Sequence, residues 1–381
     1  MRYLDNAATT FPKPQSVVSA VNNCLKFYSA NPGRSGHYLS IKAAENLYQS
    51  RKKVSEFFSC KNLENVIFTL NCTTAINFVL KGVLQPGDHV ICSCFEHNAV
   101  IRPLNELVKK GVSYDIAHVF VGDAEATRKS FEALIKDNTK LIVCTHASNV
   151  CGAVMPIKTI SELCREYGIK LLVDAAQSAG VLQIDVAGMG IDYLCVASHK
   201  GLYAPMGTGV LIASSPIENT IIEGGTGSMS LLDMQPEILP DRFESGTLNL
   251  SGIVGIASGI DFVKSKGINN IYLAEMKLVS MLYEGLRRNN NVILYTDYPK
   301  LFDFVPVLSF NVKGVHSEEI ASKLNDYGIA VRAGLHCAPL AHKTLGTIKT
   351  GTVRVCPSVF TNVSDIEYFL NSIKKVSKMA N

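Results

Sequence analysis

Lys170-Leu171-Leu172-Val173-Asp174-Ala175-Ala176-Gln177 reads as a short buried strand that ends on a carboxylate. Three apolar residues precede Asp174, and an acid placed there is costly to bury without a partner. A protonated ring nitrogen is one such partner; taken alone, an ordinary helix N-cap accounts for the aspartate as well. The pattern repeats on both sides of this run. Val66–Leu70, His89–Ser93, Ile116–Val121, Lys140–Thr145, Tyr193–Ala197 and Gly209–Ala213 read as further strands. Helical segments fall between several of them. One opens at Pro156, repeats Ile157, Ile160, Leu163, Cys164 and Tyr167, and stops at Gly168; another follows Asp123, with Phe131, Leu134 and Ile135 on one face. This alternation predicts an α/β fold with a mostly parallel, seven-stranded sheet and helices on both faces.

After about Ser251 the texture changes. Two long helical patterns, Gly252–Lys266 and Ile271–Arg288, precede shorter strands at Val292–Tyr295, Val307–Val312, Ile329–Arg332 and Thr352–Cys356. The last helix opens on Ser364-Asp365-Ile366-Glu367, a capping-box pattern. These features predict a second, smaller α+β domain.

The bulk numbers narrow the function classes. The chain has 381 residues and a formal net charge of +4, with no concentrated run of Lys and Arg, so nucleic acid is not an implied partner. Its opening lacks a charged segment followed by an apolar stretch, and no apolar run approaches a membrane span, so neither a secretory leader nor a membrane is expected. The eleven scattered cysteines show no paired CxxC spacing. They fit free thiols in a reducing cytoplasm, with no metal site.

In open α/β sheets, ligands sit beyond the carboxyl ends of the strands. Ser198-His199-Lys200-Gly201 follows one predicted strand, and a lysine in apolar surroundings there is a candidate for Schiff-base chemistry, because burial makes its neutral amine accessible. Thr73 and Thr74 open a helix after another strand, where hydroxyls and free amides suit a phosphate. His97 follows a third strand and could stack on a flat ring. A phosphate cradle, a ring neighbour, an acid for a ring nitrogen and a reactive lysine at successive strand ends compose a site for pyridoxal 5'-phosphate.

With those residues in place, the chain resembles the class V aminotransferases of fold type I, and within them the short-loop group of cysteine desulfurases and selenocysteine lyases. The resemblance runs nearly end to end. Its motifs include Tyr3 to Thr10, Arg34 to Ser40, Glu96-His97, Thr145 to Val150, Val173 to Gln177, His199-Lys200, Arg242 to Thr247, and Val331 to Pro339 around Cys337. It implies an N-terminal segment, residues 1–16, near the active site, a large cofactor-binding domain, residues 17–255, and a small domain, residues 256–381, carrying Cys337 and Arg354.

The resemblance also implies roles. Lys200 holds the cofactor and Asp174 pairs with its ring nitrogen. His97 stacks on the ring, Gln177 lies near the phenolic oxygen, and Asn149 lies beside substrate and ring. Thr73, Thr74, Ser198 and His199 hold the phosphate. Thr226 reaches the phosphate of a neighbouring subunit, which implies a homodimer. Arg354 binds the substrate carboxylate, and Asn31, Arg34 and His37 line the mouth. The implied reaction takes sulfur from L-cysteine, or L-selenocysteine as the alternative substrate, leaves a persulfide on Cys337 for a sulfur-acceptor protein, and releases alanine. That attack needs a thiolate, with His336 or His37 as the candidate base. Two departures stand out: Ala197 occupies a position where the family usually has Ser or Thr, and Pro339 to Gly346 resembles a less characterised subfamily. The competing readings are an aminotransferase that does not use Cys337 and a catalytically idle assembly partner.

Overall fold

The computed structural model describes residues 1–33 and 35–378. The first half runs β1 (Arg2–Tyr3), α1 (Gln15–Phe27), α2 (Tyr38–Phe57), β2 (Val66–Thr69), α3 (Cys72–Val83), β3 (His89–Ser93) and α4 (Asn98–Val108). It continues with β4 (Ser113–Ala117), α5 (Ala124–Glu132), β5 (Thr139–Thr145), α6 (Ile157–Tyr167), β6 (Lys170–Asp174), β7 (Tyr193–Ala197) and β8 (Gly209–Ala213). These strands build the expected seven-stranded sheet, in the order β2-β8-β7-β6-β5-β3-β4. Strand β8 alone runs opposite to the rest, antiparallel to both β2 and β7. Strands β3, β7 and β8 are buried along their whole length, which explains why β7 and β8 read as unbroken apolar runs and β3 as an apolar run between His89 and Ser93. Separate apolar cores lie on the two faces of the sheet, one containing Ile142, Val173 and Val196, the other Val143, Leu172 and Cys195.

The remainder comprises α7 (Leu250–Lys266), α8 (Ile268–Arg287), β9 (Val292–Leu294), β10 (Leu308–Val312), α9 (Ser317–Asp326), β11 (Ile329–Ala330), β12 (Arg332–Gly334), α10 (Pro339–Thr344), β13 (Thr352–Val355) and α11 (Val363–Lys378). Strands β12-β13-β10-β9 form an antiparallel sheet over a third core that includes Phe310, Val353 and Phe369. The N-terminal β1 pairs with β11, so the first residues of the chain are stitched to the last third.

Four details correct the expectations. The edge strand is β4 at Ser113–Ala117, not Ile116–Val121, because its register with β3 ends at Ser93↔Ala117; beyond it the amides of His118 and Phe120 bond the hydroxyls of Ser130 and Thr127. The run Ile329–Arg332 is two strands that pair with different partners, β1 and β13. Helix α5 stops at Glu132, leaving Leu134 and Ile135 outside it although both pack on the core. The capping box of α11 is Asn362 with Asp365, each side chain accepting the other's amide, not Ser364 with Glu367.

Candidate active site

Five strand ends converge on one cavity. Strand β6 delivers Asp174, the turn after β7 delivers His199 and Lys200, β5 ends on Thr145, β3 leads to His97 and β2 leads to Cys72 and Thr73. With Asn149 and Gln177 these residues line a space of about 210 Å³. Parallel pairing sets Thr145 directly beside Asp174, and Asp174 beside Cys195. Glu96 fastens the β3 turn to β5, accepting from the Ser93 hydroxyl at 2.5 Å and the Thr145 amide at 2.7 Å.

The electrostatics follow from burial. The Lys200 amine is drawn below its ordinary value by burial, with Asp174 opposing and Arg354 and Arg332 adding to the effect. Oδ1 of Asp174 accepts the Ala176 amide at 2.9 Å and the Cys72 thiol at 3.4 Å. His97 caps α4 with Nδ1 accepting the Ala99 amide at 3.0 Å, and burial lowers its pKa to about 4. At neutral pH it is therefore an uncharged ring with its proton on Nε2. His199 is likewise lowered to about 4 by burial.

Two buried polar atoms beside Lys200, the Ser198 hydroxyl and Nδ1 of His199, lack a hydrogen-bond partner among the described residues. Such atoms are costly unless a ligand meets them. The amino end of α3 contributes Thr73 to the same cavity, at the positive end of the helix. An amine, an acid, a flat neutral ring and the unpartnered His199 nitrogen around one cavity, with the Ser198 hydroxyl next to it in the chain, fit pyridoxal phosphate.

The thiol lies on another element. Cys337 sits in the turn between β12 and α10, and it is the one exposed cysteine; nine of the eleven are buried and Cys60 is half-buried. Both His336 (φ 48°) and Cys337 (φ 57°) take left-handed conformations. That costs on the order of 1 kcal/mol each for residues with a side chain. The turn is held in place from the cavity side. Asn149 donates to the His336 carbonyl at 2.7 Å, and the amide of Asn98, next to His97, donates to the Cys337 carbonyl at 2.7 Å. The His336 ring is buried, its Nε2 lies 3.0 Å from the Thr352 carbonyl, and burial followed by Arg354 lowers its pKa far enough to keep it neutral. Among the described residues, the hydrogen-bond partner of the Cys337 sulfur is Arg332, at 3.7 Å, and neither His336 nor His37 is in that role.

Most of the remaining expected residues lie further out, and Gln177 lines the cavity while bonding the N-terminal segment. Arg354 is buried outside the cavity lining, donating to Asp5 at 2.8 Å and to the Asn149 carbonyl at 3.0 Å. Gln177 donates to the Ala7 carbonyl. Thr74 bonds Asn71 and faces a different cavity, so of the two threonines only Thr73 meets Lys200's. Asn31 and Thr226 share a separate cavity of about 290 Å³ that contains no residue of the Lys200 site. His37 is exposed and caps α2. Arg34 lies outside the described residues. Arg332, Asp5 and Cys72 were not singled out from the sequence; the only signal for the first two was their place inside matching motifs.

The aminotransferase class-V family model matches residues 2–369. The chain belongs to the class V aminotransferases. A protein of Methanothermobacter thermautotrophicus named probable cysteine desulfurase is 32% identical, over 99% of this chain and 95% of its own. The apo structure of a cysteine desulfurase from Thermococcus onnurineus superposes with a TM-score of 0.91 at 32% identity, covering 99% of this chain and 95% of the other. The Escherichia coli cysteine desulfurase CsdA gives 0.88 at 26% identity, with 99% and 94% covered. Class V aminotransferases of this kind are pyridoxal-phosphate enzymes, in agreement with the fit of the cavity.

Proposed function

We propose that the chain is a cysteine desulfurase, moving sulfur from L-cysteine to Cys337 as a persulfide and releasing L-alanine. One observation carries the reading: the single exposed thiol stands on a strained turn fastened by Asn149 and Asn98 to the wall of the Lys200 cavity. An aminotransferase has no use for that arrangement.

Thr73, Ser198 and His199 would hold the phosphate, His97 the ring face, Gln177 the phenolic oxygen and Asp174 the ring nitrogen. Bound there, the cofactor supplies an electron sink for charge developing at the substrate's α-carbon. Lys200 anchors the cofactor and, with its basicity reduced by burial, moves the α-proton at Nζ. Asp174 would set a carboxylate opposite the ring nitrogen. Cys337 Sγ attacks the substrate sulfur; the carbon–sulfur bond breaks, a sulfur–sulfur bond forms, and the substrate carbon keeps the electron pair and gains a proton. Arg332 places a guanidinium beside that sulfur.

Arg332 and Arg354 face each other across the β12–β13 ladder. Like charges set opposite each other are destabilising, and Asp5 answers only one guanidinium. The pair supports Arg354 as the site of the substrate carboxylate, beside Asn149. Exposed apolar side chains after Thr226, with Leu231 at 100% and Met234 at 80% exposure, support a second copy covering that face and Thr226 acting across it. Asn31, which shares a cavity with Thr226, and the exposed His37 would complete the mouth in the dimer. The exposed Cys337 suits hand-over to a sulfur-acceptor protein, and free thiols suit the cytoplasm.

The test is alanine and sulfide formation from L-cysteine and from L-selenocysteine, with Cys337→Ala beside the parent. Sulfide release is expected to vanish in the variant while the yellow colour stays. Undiminished sulfide release in Cys337→Ala removes the thiol from the reaction.

A further inference from the structure

A second cysteine touches the cofactor machinery by another route. Cys72 is the first residue of α3, it is 7% exposed, and it lines the Lys200 cavity. Its Sγ lies 3.4 Å from Oδ1 of Asp174. The same oxygen accepts the Ala176 amide, so both donors act on one side of the carboxylate. Cys195, the register neighbour of Asp174, is also buried, and its carbonyl accepts the Ala175 amide.

We propose that Cys72 is a positioning residue for the cofactor: its S–H holds Oδ1 of Asp174, fixing the carboxylate so that its second oxygen is left for the ring nitrogen. The inference rests on the assignment of Asp174 above. A thiol is a weak donor, but a buried carboxylate with few donors gains from each one. Two influences keep the proton on sulfur: burial first, then the neighbouring carboxylate, both pushing this thiol well above its ordinary value. Cys72 therefore acts as a donor inside the cavity and is not an alternative sulfur acceptor. A hydroxyl could make the same bond with a shorter reach, whereas a methyl group would leave Asp174 with one donor and freer to rotate.

The measurement is the affinity of the apo-protein for pyridoxal phosphate in a double-mutant cycle, read by absorbance and needing no turnover. Cys72→Ala is expected to weaken binding about fivefold in the parent and to change it less than about twofold in an Asp174→Asn background. Cys72→Ser is expected to stay within about twofold of the parent, which separates a lost donor from damaged packing. In infrared spectra of the apo-protein, the S–H band that disappears in Cys72→Ala is expected to move toward the unbonded frequency in Asp174→Asn. A loss of equal size in both backgrounds, or a band that ignores Asp174→Asn, overturns the role of the thiol alone. If Asp174→Asn binds cofactor as tightly as the parent, the assignment of Asp174 itself falls and takes this proposal with it.

Discussion

The floor of the site and the turn that carries the thiol are built on opposite plans. Asp174, His199 and Lys200 stand at the ends of central strands buried on both faces, where the side chains have one place to go. Cys337 stands exposed on a short turn with two left-handed residues. Burial sets the chemistry of the first region: it suppresses the charge of His97 and His199 and weakens the proton affinity of Lys200. Exposure sets the chemistry of the second, since a sulfur that must be received and then handed on needs a route to a partner. The difference teaches that the cofactor's work calls for a fixed, dry setting, and sulfur relay for an anchored but accessible one.

The largest effects separate the two regions. Lys200→Ala is expected to lower turnover by about 10⁴-fold, within the range for losing a general base, and borohydride should no longer fix cofactor mass on the protein. Cys337→Ala is expected to abolish sulfide release just as fully while borohydride still fixes the cofactor. If the two variants lose the same property, colour or sulfur, then floor and turn are not separate devices.

Asn149 joins the regions and should give an intermediate effect. It lines the cavity, donates to the His336 carbonyl and accepts from Arg354. Asn149→Ala removes a buried bond worth about 1–3 kcal/mol and leaves the His336 carbonyl unpaired. Sulfide release is expected to fall by about tenfold to a hundredfold, with cofactor affinity changed much less. A variant that loses cofactor and keeps its sulfur-transfer rate per loaded site would place Asn149 in the floor alone.

The two regions also differed in how far they could be read beforehand. Strands buried on both faces write themselves as apolar runs with a polar residue behind them, so Asp174, Lys200 and His97 stood out. Edge strand β4 is half-exposed, with Ser113 and Asp115 inside it, and the more apolar run just after it drew the boundary too late. Thr73 and Thr74 look interchangeable in sequence, but each step along a helix turns about 100°, so only one of two neighbours faces a given cavity. The pairing of Asp5 with Arg354 spans 349 positions, and that of Cys72 with Asp174 spans 102. Such contacts arise when sheets assemble and leave no local periodicity. The Cys337 turn was found by its polar setting, whereas its left-handed backbone and its Arg332 contact belong to the folded chain.

The smallest effect on turnover, and the clearest on stability, is expected behind the floor. Glu275 on α8 is 4% exposed and shares a narrow space of about 30 Å³ with Lys200, Tyr203 and Cys356. Burial raises its pKa from 4.5 to about 8, so the native chain holds a proton there that the unfolded chain releases above about pH 4.5. The unfolded state binds fewer protons in that window, and stability contributed by this group must fall as pH rises from about 5 to about 8. The slope from one such group is at most about 1.4 kcal/mol per pH unit. Glu275→Gln keeps the shape and discards the proton. Turnover at neutral pH is expected to stay within about twofold, while melting temperature falls less steeply between pH 5 and 8 than in the parent. Parallel melting curves across that range would show that Glu275 is already ionised, and that the dryness inferred for the floor ends before it reaches α8.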